Sequence, residues 1–412
     1  MIMRQLFIIL FSVLTTIAAA QSPQRIEAMR MVQQGDNLIQ MGHFEDAIFS
    51  YTNAISTDNA YAEAFMKRSS LYQRLGRTTE AKRDYETAIR LNPYSAYVLD
   101  QKAKLDFMIE KYGDGLDNLE HAIAMEPDNH MIRDHRVDGY ILTGEYVNAR
   151  NDLELLRETG YNKELTLLKN GLIQFLEDDI YSAQISFESV LEINSNNALA
   201  YDVLGLIDLK EKNYDEAIGH FDQAITINPD FALAIYNKGV AYKMNGHNEK
   251  ALELFDIAIE TQLDIAPVYF ARGLLKKELG DMEGAIDDYS RMNRFDSTYF
   301  NAIYNRAFAY EMIGDFENAL LDANRAIEIN PDDAHAWKLR GNIHMLFGDY
   351  GEAVIDYTQA LKLDNLMIEA LFSKGLSKVL NYRLKDGCED MRMARDLGYK
   401  LGDQAIGNFC GP

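Results

Sequence analysis

Two cysteines, eight histidines and 64 Asp and Glu residues are the side chains best equipped for chemistry in this 412-residue chain, and their spacing argues against most of it. Cys388 and Cys410 stand far apart in sequence. A metal site needs more ligands than two distant thiolates, and a catalytic thiol wants a His beside it. His130 and His135 fall five apart in a predicted helix, poor spacing for one shared metal. Paired carboxylates could hydrolyse glycosides, but most of the acids fall on solvent-facing helix positions or at caps, where charged residues usually sit. Asp128-Asn129 and Asp332-Asp333 follow Pro in predicted turns and serve as turn residues and caps. There is no G-x-x-x-x-G-K-[ST], H-E-x-x-H, G-x-S-x-G or G-x-G-x-x-G, and no calcium loop of EF-hand spacing. The pattern predicts no enzyme, no cofactor and no metal site.

The balance of 41 basic against 64 acidic residues, a net charge of −23, also argues against nucleic acid, since phosphate contact needs basic clusters. With 47% apolar residues and only 7 Pro, the chain can bury a core and is neither collagen-like nor disordered. At the start, Arg4 precedes an apolar stretch from Leu6 to Ile17 and then Ala18-Ala19-Ala20 before Gln21. That is the pattern of a secretory signal peptide over residues 1–20, followed by a short lead over 21–27. The stretch is short of the ~20 residues a spanning helix needs, although an uncleaved anchor is the alternative. No Cys near the cleavage site would serve a lipid anchor, and no other apolar run approaches spanning length. The expectation is an exported chain, periplasmic or secreted, without a stable membrane span after cleavage. In that setting Cys388 and Cys410 would be expected to pair, a closure worth roughly 3 kcal/mol; the alternative is two free thiols.

What must position these residues is a repeat. Small residues recur every 34 places at Ala47, Ala81, Gly115, Ala149, Ala183, Ala217, Ala251, Ala285, Ala319, Ala353 and Gly387. Twelve places earlier runs a second small row, Gly35, Ser69, Ala103, Gly171, Gly205, Gly239, Gly273, Ala307, Gly341 and Gly375, broken only by Val137. Eleven units starting at 28, 62, 96, 130, 164, 198, 232, 266, 300, 334 and 368 cover residues 28–401 without insertion or deletion. Each holds two stretches of apolar residues at helical spacing. A Gly at position 15, as at Gly42, Gly144 and Gly314, suits a helix end, and Asn213, Asp315 and Asp349 follow as capping types. Asn213 with Glu216 and Asp349 with Glu352 have capping-box spacing. No unit alone can bury both its faces, so the units must stack.

With Ala307, Tyr310, Gly314, Phe316, Ala319, Ala326 and Pro331 in one unit, and Gly205, Tyr214, Ala217, Phe221, Ala224 and Pro229 in another, the sequence resembles the tetratricopeptide (TPR) repeat family. The resemblance implies an all-α fold, a right-handed α-solenoid of eleven 34-residue helix-turn-helix repeats closed by a capping helix over 402–412. The terminal Cys pair is similar to that of exported bacterial TPR proteins.

Comparison between units adds a correlation. A base at position 7 accompanies Asp at position 23 in Arg68/Asp84, Arg136/Asp152, Arg272/Asp288, Arg306/Asp322, Arg340/Asp356 and Lys374/Asp390, which predicts partly buried ion pairs within a unit.

In the family, first helices line a concave groove, mainly through positions 2, 5, 9 and 12. Here those positions turn apolar in mid-chain: Leu165, Leu168, Leu172 and Phe175, then Leu199, Leu206 and Leu209, then Leu233, Tyr236 and Val240, then Phe270 and Leu274. Asn237 and Asn305 occupy position 6, whose Asn holds ligand backbone in peptide-binding members. These residues predict an apolar trough for an extended peptide or amphipathic helix, unless they pack on one another or under a terminal segment. The expected partner is a protein or peptide segment bound by a scaffold of the bacterial envelope. The rivals are binding of polysaccharide or peptidoglycan, and self-association of the array.

Overall fold

The computed structural model describes residues 22–261 and 265–411; the leader expected over residues 1–20 lies outside the described residues. Among the described residues there are twenty-three α-helices and no strand. The chain divides into two units, the first through Ser195 and the second from Asn196. The first holds α1 (Pro23–Gln40), α2 (Phe44–Thr57), α3 (Ala62–Arg74), α4 (Thr78–Leu91), α5 (Ala96–Met108), α6 (Tyr112–Met125), α7 (His130–Thr143), α8 (Tyr146–Glu158), α9 (Lys163–Leu176) and α10 (Ile180–Ile193). The second holds α11 (Ala198–Glu211), α12 (Tyr214–Ile227), α13 (Ala232–Met244), α14 (Asn248–Glu260), α15 (Ala266–Glu278), α16 (Met282–Phe295), α17 (Phe300–Ile313) and α18 (Phe316–Ile329). It continues with α19 (Ala334–Phe347), α20 (Tyr350–Leu363), α21 (Ile368–Leu380), α22 (Leu384–Asp396), a 3₁₀ turn (Lys400–Gly402) and α23 (Asp403–Cys410). Residues 23–27 are the first turn of α1 rather than a separate lead, because Ser22 caps it by accepting from the Arg25 N–H and Pro23 is preset for a helix start.

Odd and even helices pack as consecutive pairs, and the close approach within a pair has a local cause. The position-8 residue faces the side chain sixteen places on. A Cβ on Gly205 would stand 2.6 Å from the Phe221 ring, and one on Gly239 2.8 Å from Phe255. Ala307 instead packs in one cluster with Ala323, and Val137, the break in the small row, with Leu153.

All eleven first helices end at a position-15 residue of positive φ. Seven are Gly, but Glu110, Asp178, Lys212 and Tyr382 adopt the same left-handed conformation, at φ between 60° and 68°. Asp315 caps the second helix that follows it, accepting from the Asn318 N–H at 3.2 Å. Asn213 and Asp349 make no side-chain cap bond. Asn213 is turned to Glu211 instead, and Asp349 to His344.

The predicted 7/23 pairs are separated by 2.6 Å in Arg68–Asp84, 2.7 Å in Arg136–Asp152, 2.5 Å in Arg272–Asp288, 2.7 Å in Arg306–Asp322, 2.6 Å in Arg340–Asp356 and 3.4 Å in Lys374–Asp390. The base also reaches back sixteen residues to position 25 of the preceding repeat: Arg68 to Thr52, Lys238 to Asp222, Arg272 to Asp256, Arg306 to Ser290 and Arg340 to Asn324. One guanidinium therefore ties three helices. In two repeats the acid moves to position 11, where Asp106 accepts from Asn118 at 2.9 Å and Asp208 meets His220 at 2.6 Å.

First helices also pack on their successors: α1 on α3, α3 on α5 and α5 on α7 in one unit, and α11 on α13, α15 on α17, α17 on α19 and α19 on α21 in the other. Second helices meet mainly their sequence neighbours, so the first-helix face is the tighter side within each unit. Two seams depart from this. Neither α7 with α9 nor α13 with α15 makes a comparable contact. The second helix before each wide seam, α8 or α14, stops one residue short of the usual 34-residue register, at Glu158 and Glu260.

At the C-terminus Cys388 and Cys410 are joined by a disulfide that holds α23 against α22, and Arg392 donates to the Cys410 carbonyl at 2.9 Å. Ile406 is buried with Phe372 and Met391, closing the last apolar face.

Candidate functional site

The wide seam between α13 and α15 opens a cavity of about 560 Å³. Tyr236, Val240 and Met244 of α13 line one side, and Phe270 and Leu274 of α15 the other. Phe255 of α14 and Met292 of α16 form its floor, with Tyr299 beyond. The aromatics are fixed in place: Tyr236 lies 5.6 Å from Phe255, and Phe270 lies 6.1 Å from Tyr289 and 5.3 Å, edge on, from Tyr299. Lys243 and Asp296 supply the charge at its rim. Asp296 is occupied locally, accepting from the Thr298 N–H at 2.8 Å and hydroxyl at 2.7 Å.

The seam between α8 and α9 holds a second cavity, about 550 Å³, lined by Leu153, Tyr161 and Asn170 with Arg150, Arg157 and Lys163. Two of those cations are already used, since Arg157 is 2.5 Å from Glu154 and Arg150 donates to Glu177. It is the more polar and the more self-satisfied of the two.

The residues expected to line a trough divide by burial. In the first unit, Leu165, Leu172 and Phe175 of α9 are half-buried, whereas Leu168 is buried. In the second, Leu199 and Leu233 are exposed, at 37% and 39%, and Leu206, Tyr236, Val240, Phe270 and Leu274 are half-buried. Leu209 is not available to a ligand, because it is buried with Ala217, Phe221 and Ala241. Of this set, Tyr236, Val240, Phe270 and Leu274 meet in one cavity.

The asparagines differ from the family expectation too. Asn237 is buried and donates to Asp202 Oδ1 at 3.0 Å, across the seam to the preceding first helix. The same position-5 to position-6 step joins Asp100 to His135 at 2.5 Å and Asp134 to Lys169 at 2.8 Å. Position 6 therefore holds neighbouring first helices together rather than ligand backbone. Asn305 is half-buried, donates to the Asn301 carbonyl and accepts from Lys277 Nζ at 2.7 Å.

Three charges stand at position 12 of successive repeats, of which the sequence singles out Glu311, as one of the polar groove positions, but not the two lysines. Lys243 borders the cavity, Lys277 follows Leu274 by one turn, and Glu311 comes next on α17. Burial lowers the Lys277 pKa; Glu278 opposes that shift and the Lys243 charge adds to it. Burial pushes the Glu311 carboxyl up to about 7, with Lys338 opposing. On the same face Asp202 is pushed up to about 6 by burial, against the Asn237 hydrogen bond. The only signal in the sequence was that all three charges fall on the stripe already singled out. Among the described residues no cluster of three or more His, Cys, Asp or Glu is arranged to hold a metal ion, and no helix is long and apolar enough to cross a membrane.

Comparison with known proteins places repeats of one kind along the chain. Models of the tetratricopeptide repeat match residues 62–95, 300–333 and 334–366, and a TPR-repeat model matches 205–246. The chain is 22% identical over 153 residues to the Hsp70-Hsp90 organizing protein of Triticum aestivum, a match covering 37% of this chain and 26% of the relative. It is 24% identical over 160 residues to Tetratricopeptide repeat protein 13 of Homo sapiens, covering 38% and 18%. These matches span about a quarter or less of the relatives' own length. Among solved structures, YrrB, described as a TPR protein with an unusual peptide-binding site, aligns with TM-score 0.44 and 18% identity, covering 46% of this chain and 97% of that one. A tetratricopeptide repeat protein from Parabacteroides merdae aligns with TM-score 0.42 and 19% identity, covering 60% and 96%.

Proposed function

Because the chain carries tetratricopeptide repeats, we propose that it is a non-enzymatic scaffold that binds a protein or peptide segment on its first-helix face. The observation that carries this is the cavity between α13 and α15. Four large apolar side chains from two first helices surround an open space of about 560 Å³ that no part of the described chain fills. An apolar recess on an array face, framed by ordered aromatics, is the kind of surface into which a partner's anchor residue fits.

The setting proposed is the bacterial envelope, after export through a leader at residues 1–20. Two features favour it: the apolar run ending in Ala18-Ala19-Ala20, and a disulfide, a bond that persists in oxidising compartments. The acidic surface would exclude acidic partners over most of the array and guide the approach of others.

A capture experiment tests the proposal. Residues 21–412 serve as bait in envelope extract, beside a Leu206→Glu/Val240→Glu variant shown by circular dichroism to fold. A protein retained by the wild type and lost by the variant supports a scaffold acting through this face. Equal capture by both moves binding elsewhere, and capture by neither removes the face as a protein-binding site.

A further inference from the structure

The three position-12 charges bear on what kind of segment the cavity takes. Lys243 and Lys277 stand on α13 and α15 on either side of the wide seam, near enough that the Lys243 charge disfavours that of Lys277. In a chain of net charge −23 these are two neighbouring ammonium groups beside an apolar recess, with Glu278 and Asp296 as the carboxylates near them. Lys243 reaches Glu278 Oε1 at 3.2 Å. Lys277, half-buried, has a neutral hydrogen-bond partner, Asn305, and lies 5.6 Å from the Phe308 ring. Among the described residues it makes no ion pair, Glu278 acting on it without a direct contact, and a partly desolvated ammonium with no carboxylate bonded to it gains from an incoming one.

Glu311 is the complementary case. It too is half-buried, and no described residue donates a hydrogen bond to its carboxylate. Lys338 on α19 is the cation within electrostatic reach, yet its ammonium is bonded to Glu369. A basic group arriving from a partner would supply what Glu311 lacks. Asp296, the other charge lining the cavity, accepts from the Thr298 N–H and hydroxyl through Oδ1.

Building on the groove-binding function proposed above, we propose that the cavity receives a partner segment carrying a bulky apolar side chain beside a carboxylate, followed by a basic side chain. The apolar group enters between Tyr236, Val240, Phe270 and Leu274, the carboxylate meets Lys243 and Lys277, and the base meets Glu311. The order of charges fixes which end of the segment lies over α13 and which over α17. Charge complementarity thus selects a partner of this composition over a uniformly basic segment, which the acidity of the whole chain would otherwise favour.

The test pans random twelve-residue peptides displayed on phage against the full chain and titrates the enriched sequences as fluorescein-labelled peptides. The expected sequences place Phe, Leu or Met beside Asp or Glu, with Lys or Arg further along. Lys277→Met should weaken them by at least about tenfold while leaving their Asp→Asn forms unchanged, and Glu311→Gln should do the same for the base. Leu274→Glu should abolish binding of all of them. Peptides that lose binding to Leu274→Glu but show no charge preference, or carry the base beside the apolar anchor, overturn the charge assignment and leave the groove standing. Peptides indifferent to Leu274→Glu, or no enrichment at all, overturn both. Dimerisation of the full chain that Leu274→Glu abolishes would make a second copy the occupant and reject the partner segment.

Discussion

Asn237 donates its side-chain amide to Asp202 Oδ1 at 3.0 Å, and both groups are buried between α11 and α13. An asparagine that the family comparison would assign to a ligand is therefore part of the joint between repeats. It holds a carboxylate that would otherwise be desolvated with no partner, which costs more than most single contacts stabilise.

That joint is pH-sensitive with a definite sign. Burial raises the folded-state pKa of Asp202 to about 6, above its ordinary value of 3.8, so between those pH values the folded chain holds a proton that the unfolded chain has released. Stability contributed here is full at lower pH and falls as pH rises through the folded pKa. Asp202→Asn should remove the slope and, above pH 6, raise local stability around α11–α13 by up to about 3 kcal/mol. Hydrogen exchange of those helices at pH 4.5 and 7 reads this directly. An Asp202→Asn chain with the wild-type pH slope would place the titration elsewhere.

The reach of one arginine to two carboxylates sets a contrast. Arg272 lies 2.5 Å from Asp288, which is 1% exposed as a side chain, and 2.6 Å from Asp256, which is 52% exposed. Double-mutant cycles should give a coupling of about 1.5–3 kcal/mol for the first pair, because its carboxylate is buried and loses two charge-assisted hydrogen bonds with the base. The second should give under about 1 kcal/mol. Since Lys276 also stands 2.9 Å from Asp288, the Asp288→Ala cost should exceed that of Arg272→Ala. Equal couplings would mean that burial does not grade these pairs.

Tyr382 occupies the left-handed turn position that Gly fills in seven repeats, at φ 60° with its side chain 97% exposed. Tyr382→Gly removes a conformational penalty and no buried contact. It should stabilise the α21–α22 pair by about 1 kcal/mol, read as a raised thermal midpoint of local melting. The same exchange at Gly348, Gly348→Tyr, should destabilise by a similar amount, with nothing in the surrounding space to oppose the side chain.

Relationships within one helix pair were legible in the residues because they depend on types that recur at fixed spacing. Gly205 against Phe221 and Arg306 against Asp322 are sixteen apart in every repeat that has them. The backward reach of the position-7 bases was not legible. Thr52, Asp222, Asp256, Ser290 and Asn324 share a capacity to accept a hydrogen bond but no residue type. The cavity was half legible: its lining falls on the predicted stripe, yet the same stripe carries Leu168 and Leu209, which are buried. What separates them is packing that the stripe does not spell out, as where Leu209 is buried with Ala217, Phe221 and Ala241.

The disulfide makes the C-terminal cap a separate variable. Cys388→Ala/Cys410→Ala should lower stability by roughly 3 kcal/mol, the closure of a loop with sequence separation 22, and the loss should be confined to α21–α23. Hydrogen exchange should show Ile406 and its neighbours on α23 losing protection while α11–α17 keep theirs. Loss of protection throughout the second unit would show that the cap governs more than the last pair.

The central claim, that the first-helix face binds a partner at the α13–α15 cavity, is tested most directly by site-specific photo-crosslinking. A benzophenone amino acid is placed at Leu274, in the cavity, or at Leu321, 66% exposed on the second helix α18, and each chain is irradiated in envelope extract. The account predicts a discrete protein adduct from position 274 that is absent from position 321 and that unlabelled wild-type chain competes away. Adducts of the same mass from both positions, or a discrete adduct from position 321 alone, would contradict it.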